Sequence, residues 1–321
     1  MSHGSRTYRP PRWLRGRHAQ TILPATVLGG PPTAYRRERV ETPDGDFIDL
    51  DWIDANDAAT PLVVLFHGLE GSSGSHYARA LMEQVKRRGL RGVVPHFRGC
   101  SGELNRAPRF YHCGDSAEVA WILERLALRF PLAPLHAVGV SLGGNALLRF
   151  LGEREDDARK WVATAAGISA PLDLVAGGEA MSGGLNRFYT ELFLRTLKPK
   201  CEAKLIQFPG LFDPEAMRAA RNLHEFDDVV TAPLHGYRDA DDYWRRAAAK
   251  SVLGGIRVPT LVLNALNDPF LPAPALPLRS QVSREVELEY PAQGGHVGFF
   301  ERDVGRDWLP FRTLRFLLDQ K

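Results

Sequence analysis

From residue 61 onward the hydrophobic positions alternate between two patterns: short continuous apolar runs, and stretches where apolar residues recur every three or four positions. Residues 61–66 (Pro-Leu-Val-Val-Leu-Phe) form a run of the first kind, as expected of a strand covered on both faces. Ser75 can cap the stretch that follows, where Ala78, Leu81, Met82 and Val85 share a helical face that ends at Gly89. A second strand is predicted over residues 92–97. Asp115, with Glu118 three positions on, has the spacing of a capping box, and the helix after it carries Val119, Ile122, Leu123, Leu126 and Phe130 before stopping at Pro131. Further strands are predicted over 135–140, 161–168, 260–265 and 286–290. Helices are predicted over 142–151 and at the C-terminus, where Phe311, Leu314, Leu317 and Leu318 share a face. This alternation predicts an α/β fold: a mainly parallel central sheet with helices on both faces. Ahead of it, the turn signal at residues 42–46, flanked by Val40 and by Phe47, Ile48, Leu50 and Trp52, predicts a β-hairpin at a sheet edge. Residues 9–34 show neither period and are expected to run as an extended arm over the surface.

One interval interrupts the alternation. Residues 172–256 contain no convincing strand but three helical stretches, at 186–198, 214–223 and 239–250. An insertion between two late strands lies over the carboxyl ends of a parallel sheet, where such folds place their sites. The expected organisation is thus an N-terminal arm (1–39), an α/β core (40–171 and 257–321) and a helical cap (172–256). Leu185, Phe188, Tyr189, Leu192, Phe193, Phe208, Leu211 and Phe212 of the cap are candidates to line an acyl pocket.

The candidate chemistry begins at Gly139-Val140-Ser141-Leu142-Gly143, a G-x-S-x-G sequence with an apolar strand leading in and an apolar helix leading out. That setting predicts a nucleophile elbow, a strained strand-to-helix turn that projects the serine hydroxyl above the sheet. A serine hydroxyl needs a base to remove its proton, and in this arrangement an acid and then a histidine follow in chain order. Asp268, just after the strand at 260–265, is the expected acid, with Asp173 as the fallback. His296, between glycines after the strand at 286–290, is the expected base. The backbone N–H groups of Leu142 and of Leu69, in the loop after the first core strand, are the expected oxyanion donors. His67 is expected to order that loop by hydrogen bonding.

Composition narrows the remaining classes. No apolar run approaches the roughly 18 residues needed to span a bilayer, and the Arg-rich start lacks the apolar stretch of a secretory signal. Three cysteines without paired spacing argue against a disulfide framework and for a reducing compartment, with the cytoplasm as the expected location. The net charge of +3 is uneven: residues 1–39 hold eight arginines and one glutamate, a net +7, which leaves −4 for the rest. The arm could make weak peripheral contact with an anionic membrane. Nucleic-acid binding is not expected, since no recognition module accompanies the charge.

The assembled residues resemble the YheT-like family of α/β-hydrolases. The match takes in His18-Ala19-Gln20-Thr21, His67-Gly68-Leu69-Glu70-Gly71-Ser72, Phe97-Arg98-Gly99-Cys100-Ser101-Gly102-Glu103, Ala232-Pro233-Leu234-His235-Gly236-Tyr237 and Asp268-Pro269-Phe270. The resemblance implies serine ester hydrolysis on medium-chain or lipid-like acyl esters by Ser141, Asp268 and His296, with a small-molecule substrate and no metal or organic cofactor. Acyl transfer to an alcohol through the same acyl-serine is the alternative. A binding protein on a disabled scaffold and a metal hydrolase using His67, His96 and His112 are further readings.

Overall fold

The computed structural model describes residues 8–28, 30 and 32–319; Arg6 and the rest of residues 1–7 of the expected basic arm lie outside the described residues. Eight strands form one sheet: β1 (Arg36–Glu41), β2 (Phe47–Ile53), β3 (Leu62–Phe66), β4 (Arg91–Pro95), β5 (Leu135–Val140), β6 (Thr164–Ile168), β7 (Thr260–Leu263) and β8 (Val286–Glu289). Their spatial order is β1-β2-β4-β3-β5-β6-β7-β8. β1, β2 and β4 pair antiparallel and every pair from β4 to β8 is parallel, so the α/β architecture is as expected. The central strands β3, β5, β6 and β7 are buried throughout because hydrophobic clusters cover both faces of the sheet. At the β1–β2 edge, cross-strand pairs Arg37–Asp51 and Arg39–Asp49 accompany the apolar positions. Burial alone would raise the Asp51 pKa, but Arg37, His96 and Ser73 together hold it below the usual carboxylate range.

The helices after β3, β4 and β5 are α2 (His76–Arg87), α3 (Ser116–Arg129) and α4 (Leu142–Arg154), each on its expected stretch; they are preceded by α1 (Arg17–Thr26). The α1 helix corrects the extended arm expected at 9–34. Its N-cap is Gly16, no capping side chain bonds its first turn, and Pro24 lies inside it, so local signals are weak and the helix is held by packing. The capping box expected at Asp115 and Glu118 is also absent: Asp115 pairs with Arg109 and Glu118 with Arg98, and guanidinium–carboxylate pairs in which both partners are charged hold these side chains away from the helix N-terminus.

Between β6 and β7, residues 172–256 contain α5 (Leu174–Met181), α6 (Arg187–Gln207) and further helices at Pro214–Ala219, Leu223–Phe226 and Ala240–Ala247. α6 runs well past the stretch predicted for it, through Pro199. The chain ends on a helix, Trp308–Leu318. Among the described residues no helix is long and apolar enough to cross a membrane.

Candidate active site

Ser141 stands between β5 and α4 with φ 53° and ψ −121°, a backbone conformation costly for a residue with a Cβ and maintained only where the surroundings impose it. The surroundings are glycine. A Cβ on Gly139 would lie 2.4 Å from the Gly143 carbonyl oxygen, and one on Gly143 would lie 2.5 Å from the carbonyl oxygens of Phe66 and His67. The Gly143 N–H also donates to the His67 carbonyl at 3.1 Å, which ties the serine turn to the loop after β3. Gly143→Ala is therefore expected to destabilise the protein by about 1–3 kcal/mol through overpacking, read as a lowered midpoint in urea unfolding.

The loops after β7 and β8 bring Asp268 and His296 to this turn. His296 Nε2 is 3.0 Å from Ser141 Oγ, and His296 Nδ1 is 2.9 Å from Asp268 Oδ2 and 3.2 Å from Oδ1. A carboxylate only accepts, so Nδ1 carries the proton and the Nε2 lone pair faces the serine hydroxyl. Asp268 is buried, and its Oδ1 also accepts from the Phe270 N–H at 2.8 Å. The Phe270 ring stacks on the imidazole with centroids 4.0 Å apart. Asp173, the fallback acid, instead caps α5 by accepting from the Ala176 N–H and pairs with Lys250.

The loop after β3 lies against the same serine, since a Cβ on Gly68 would be 3.1 Å from Ser141 Cβ. Its N–H groups are used unequally. Gly68 donates to Tyr77 Oη, Glu70 to Tyr111 Oη and Gly71 to the Gly68 carbonyl. Among the described residues the N–H groups of Leu69 and Leu142 have no such partner, and both residues line the cavity above Ser141. Glu70 follows with φ 55° and is held from two sides: its carboxylate accepts from Tyr111 Oη at 3.0 Å and from Lys200 Nζ at 2.7 Å. Lys200 belongs to α6, so this contact connects the helical segment to the loop that carries Leu69. Sequence reading missed it. His67 is buried between the two loops; Nδ1 meets the Gly68 carbonyl at 2.8 Å and Nε2 accepts from the Phe97 N–H, while burial pushes its pKa down to about 3.

The cavity above Ser141 has a volume of about 150 Å³. Its wall is mainly apolar, with Leu174, Met181, Phe193, Leu197, Phe226 and Trp244 from the segment between β6 and β7. Of the eight residues expected to line an acyl pocket, Phe193 alone borders it. Leu185 and Phe188 point outward, 73% and 53% exposed, Phe212 packs inside the segment, and Tyr189 turns toward His18 of α1 and Phe270. Polar groups interrupt the wall at Glu70, His112, Lys200, His235 and Asp227; Asp227 accepts from Trp244 Nε1 at 2.8 Å and from Thr231 Oγ1 at 2.6 Å, and burial pushes its pKa up to about 6. Among the described residues no three His, Cys, Asp or Glu side chains gather as metal ligands would.

Comparison with known proteins agrees with this architecture. Residues 61–303 match the family described as alpha/beta hydrolase fold. The chain is 41% identical to the Escherichia coli (strain K12) protein named "Putative esterase YheT", across 90% of this chain and 86% of that one. It is 33% identical to mouse phospholipase ABHD3, across 92% of this chain and 74% of the relative. Among solved structures, the Pyrococcus furiosus esterase Pf2001 superposes with a TM-score of 0.58 at 15% identity, covering 98% of both chains, a likeness of fold. A serine at a glycine-walled elbow, a parallel sheet beneath it and these relatives lead to one assignment: the chain belongs to the α/β-hydrolase fold family, on its YheT-like branch.

Proposed function

We propose that the chain hydrolyses carboxylic esters through an acyl intermediate on Ser141. The observation that carries this reading is the continuous hydrogen-bonded line from Ser141 Oγ through His296 to Asp268, with steps of 3.0 and 2.9 Å. As Ser141 Oγ attacks the ester carbonyl carbon, its proton passes to His296 Nε2. The imidazolium is stabilised by Asp268, which stays ionised. The carbonyl oxygen becomes an oxyanion and accepts from the Leu69 and Leu142 N–H groups, at the N-terminus of α4 where the helix dipole favours negative charge. His296 Nε2–H then protonates the departing alkoxide, the alcohol leaves, and the acyl group remains on Ser141. Water repeats the sequence: its proton goes to His296, its oxygen attacks the acyl carbon, and the returned proton frees Ser141 and the carboxylic acid.

The residues 172–256 act as a cap that supplies the acyl pocket. The apolar wall of the cavity supports medium-chain or lipid-like acyl groups, and a relative named as a phospholipase supports the same class. Each methylene buried there contributes about 0.8 kcal/mol, so three or four added carbons raise kcat/KM by about two orders of magnitude. A series of p-nitrophenyl esters tests this. The expected profile climbs from acetyl to medium chains and then levels off; a peak at acetyl with a steep fall by hexanoyl would remove the lipid-like substrate class and leave the chemistry at Ser141 untouched.

A further inference from the structure

The His18-Ala19-Gln20-Thr21 stretch has no part in the chemistry above, yet its α1 helix lies against both loops that carry Asp268 and His296. Gln20 is fully buried, and its amide uses all four of its hydrogen-bonding positions. Nε2 donates to the Leu14 carbonyl at 2.9 Å and to Gln293 Oε1 at 2.8 Å, while Oε1 accepts from Asn267 Nδ2 at 2.8 Å and from the Gly294 N–H at 3.1 Å. Asn267 precedes Asp268, and Gln293 and Gly294 precede His296, so one side chain bridges the acid loop and the base loop.

The base loop is held further along. Three consecutive N–H groups leading into the imidazole each meet a side-chain oxygen: Gly294 meets Gln20, Gly295 meets Asn267 Oδ1 at 3.0 Å, and His296 meets Thr21 Oγ1 at 2.9 Å. Thr21 Oγ1 in turn donates to the Arg17 carbonyl at 2.7 Å, which fixes the hydroxyl as acceptor toward His296. The close approach explains the glycines. Gly294 and Gly295 have φ of 147° and 60°, and a Cβ on Gly298 would lie 1.8 Å from the Gln20 carbonyl oxygen. Pro24, four residues after Gln20, has no N–H to offer that carbonyl, so the helix leaves it free for this contact.

We infer that Gln20 and Thr21 are positioning residues for ester hydrolysis: α1, which lies outside the matched 61–303 core, sets the separation of Asp268 and His296 from Ser141. This rests on the triad reading above. A displacement of about 1 Å in a reacting group can cost on the order of 10²-fold in rate, and removing a single brace permits movement of that size.

The test measures kcat and KM on a short, soluble p-nitrophenyl ester, together with the rate of fluorophosphonate labelling and the thermal midpoint, in the full chain. Thr21→Val should lower kcat and the labelling rate together by about 10- to 100-fold, with KM within about twofold. Thr21→Ser, which keeps the accepting hydroxyl, should recover most of that loss. Asn267→Ala, at a half-buried position, should lower kcat by about tenfold and keeps the test available if Thr21→Val does not fold. A purely structural brace would lower the thermal midpoint and leave kcat per folded, probe-reactive molecule unchanged. Folded Thr21→Val or Asn267→Ala protein with wild-type kcat, or equal losses in the Ser and Val variants, overturns the inference. If Ser141→Ala is inactive while these variants are normal, the positioning role alone is lost; full activity in Ser141→Ala removes the triad reading beneath it.

Discussion

Ser141→Ala is expected to lower kcat on a good ester substrate by about 10⁴- to 10⁶-fold while the protein stays folded. The size follows from what one oxygen does here. It forms the bond to the acyl carbon and it is the group whose proton His296 takes, so its removal ends the covalent route. What remains is the background from the Leu69 and Leu142 N–H groups and substrate binding, which in a serine triad amounts to roughly 10³- to 10⁴-fold over water. Circular dichroism and the thermal midpoint should change little, because the strained turn is imposed by Gly139, Gly143 and the loop after β3 rather than by the hydroxyl. Activity within tenfold of wild type would mean that another group performs the attack.

Asp268→Asn is expected to cost about 10⁴-fold in kcat, and the structure gives the reason. The two carboxylate oxygens are used differently: Oδ1 accepts from the Phe270 N–H at 2.8 Å and lies 3.2 Å from His296 Nδ1, and Oδ2 faces Nδ1 more closely, at 2.9 Å. A carboxamide in the same place must put its oxygen toward the Phe270 N–H, which turns its NH2 toward Nδ1. That forces the imidazole into the tautomer protonated on Nε2, so no lone pair faces Ser141. KM should change far less than kcat. Asp173→Asn, by contrast, keeps a side-chain oxygen that can cap α5 and loses only the partly exposed ion pair with Lys250, and is expected to change kcat by less than about threefold and stability by less than about 1 kcal/mol. Steady-state kinetics on the two variants decide between the carboxylates, and near-wild-type turnover in Asp268→Asn would remove Asp268 from the mechanism.

The elbow was legible because its whole signal is local: strand, five residues and helix are contiguous around Ser141. That Asp268 and His296 come together beside Ser141 was legible for a related reason, since each follows a strand whose apolar run can be seen in the sequence. What sequence reading lost is what long-range contacts decide. The α1 helix has a glycine N-cap, an internal proline and no clean period, and it exists because Gln20 and Thr21 bond to loops more than 240 residues away. The apolar faces within 172–256 were visible, but which side of α6 turns toward Ser141 depends on how that helix lies on its neighbours. Phe193 therefore faces the cavity while Phe188 faces outward. Asp115 and Glu118 had the spacing of a capping box, but Arg109 and Arg98, both ahead of the helix in the preceding loop, took the two carboxylates. The link from Glu70 to Lys200 left no sequence signal, because its two ends belong to different segments.

The most direct test of the central claim is covalent labelling of the native protein with a fluorophosphonate probe, followed by peptide mapping by mass spectrometry. Ser141 as the activated nucleophile predicts one probe per chain on the peptide that contains Ser141, with ester hydrolysis lost in step with labelling. Labelling at a different serine, or none in a folded sample that hydrolyses esters, would contradict it.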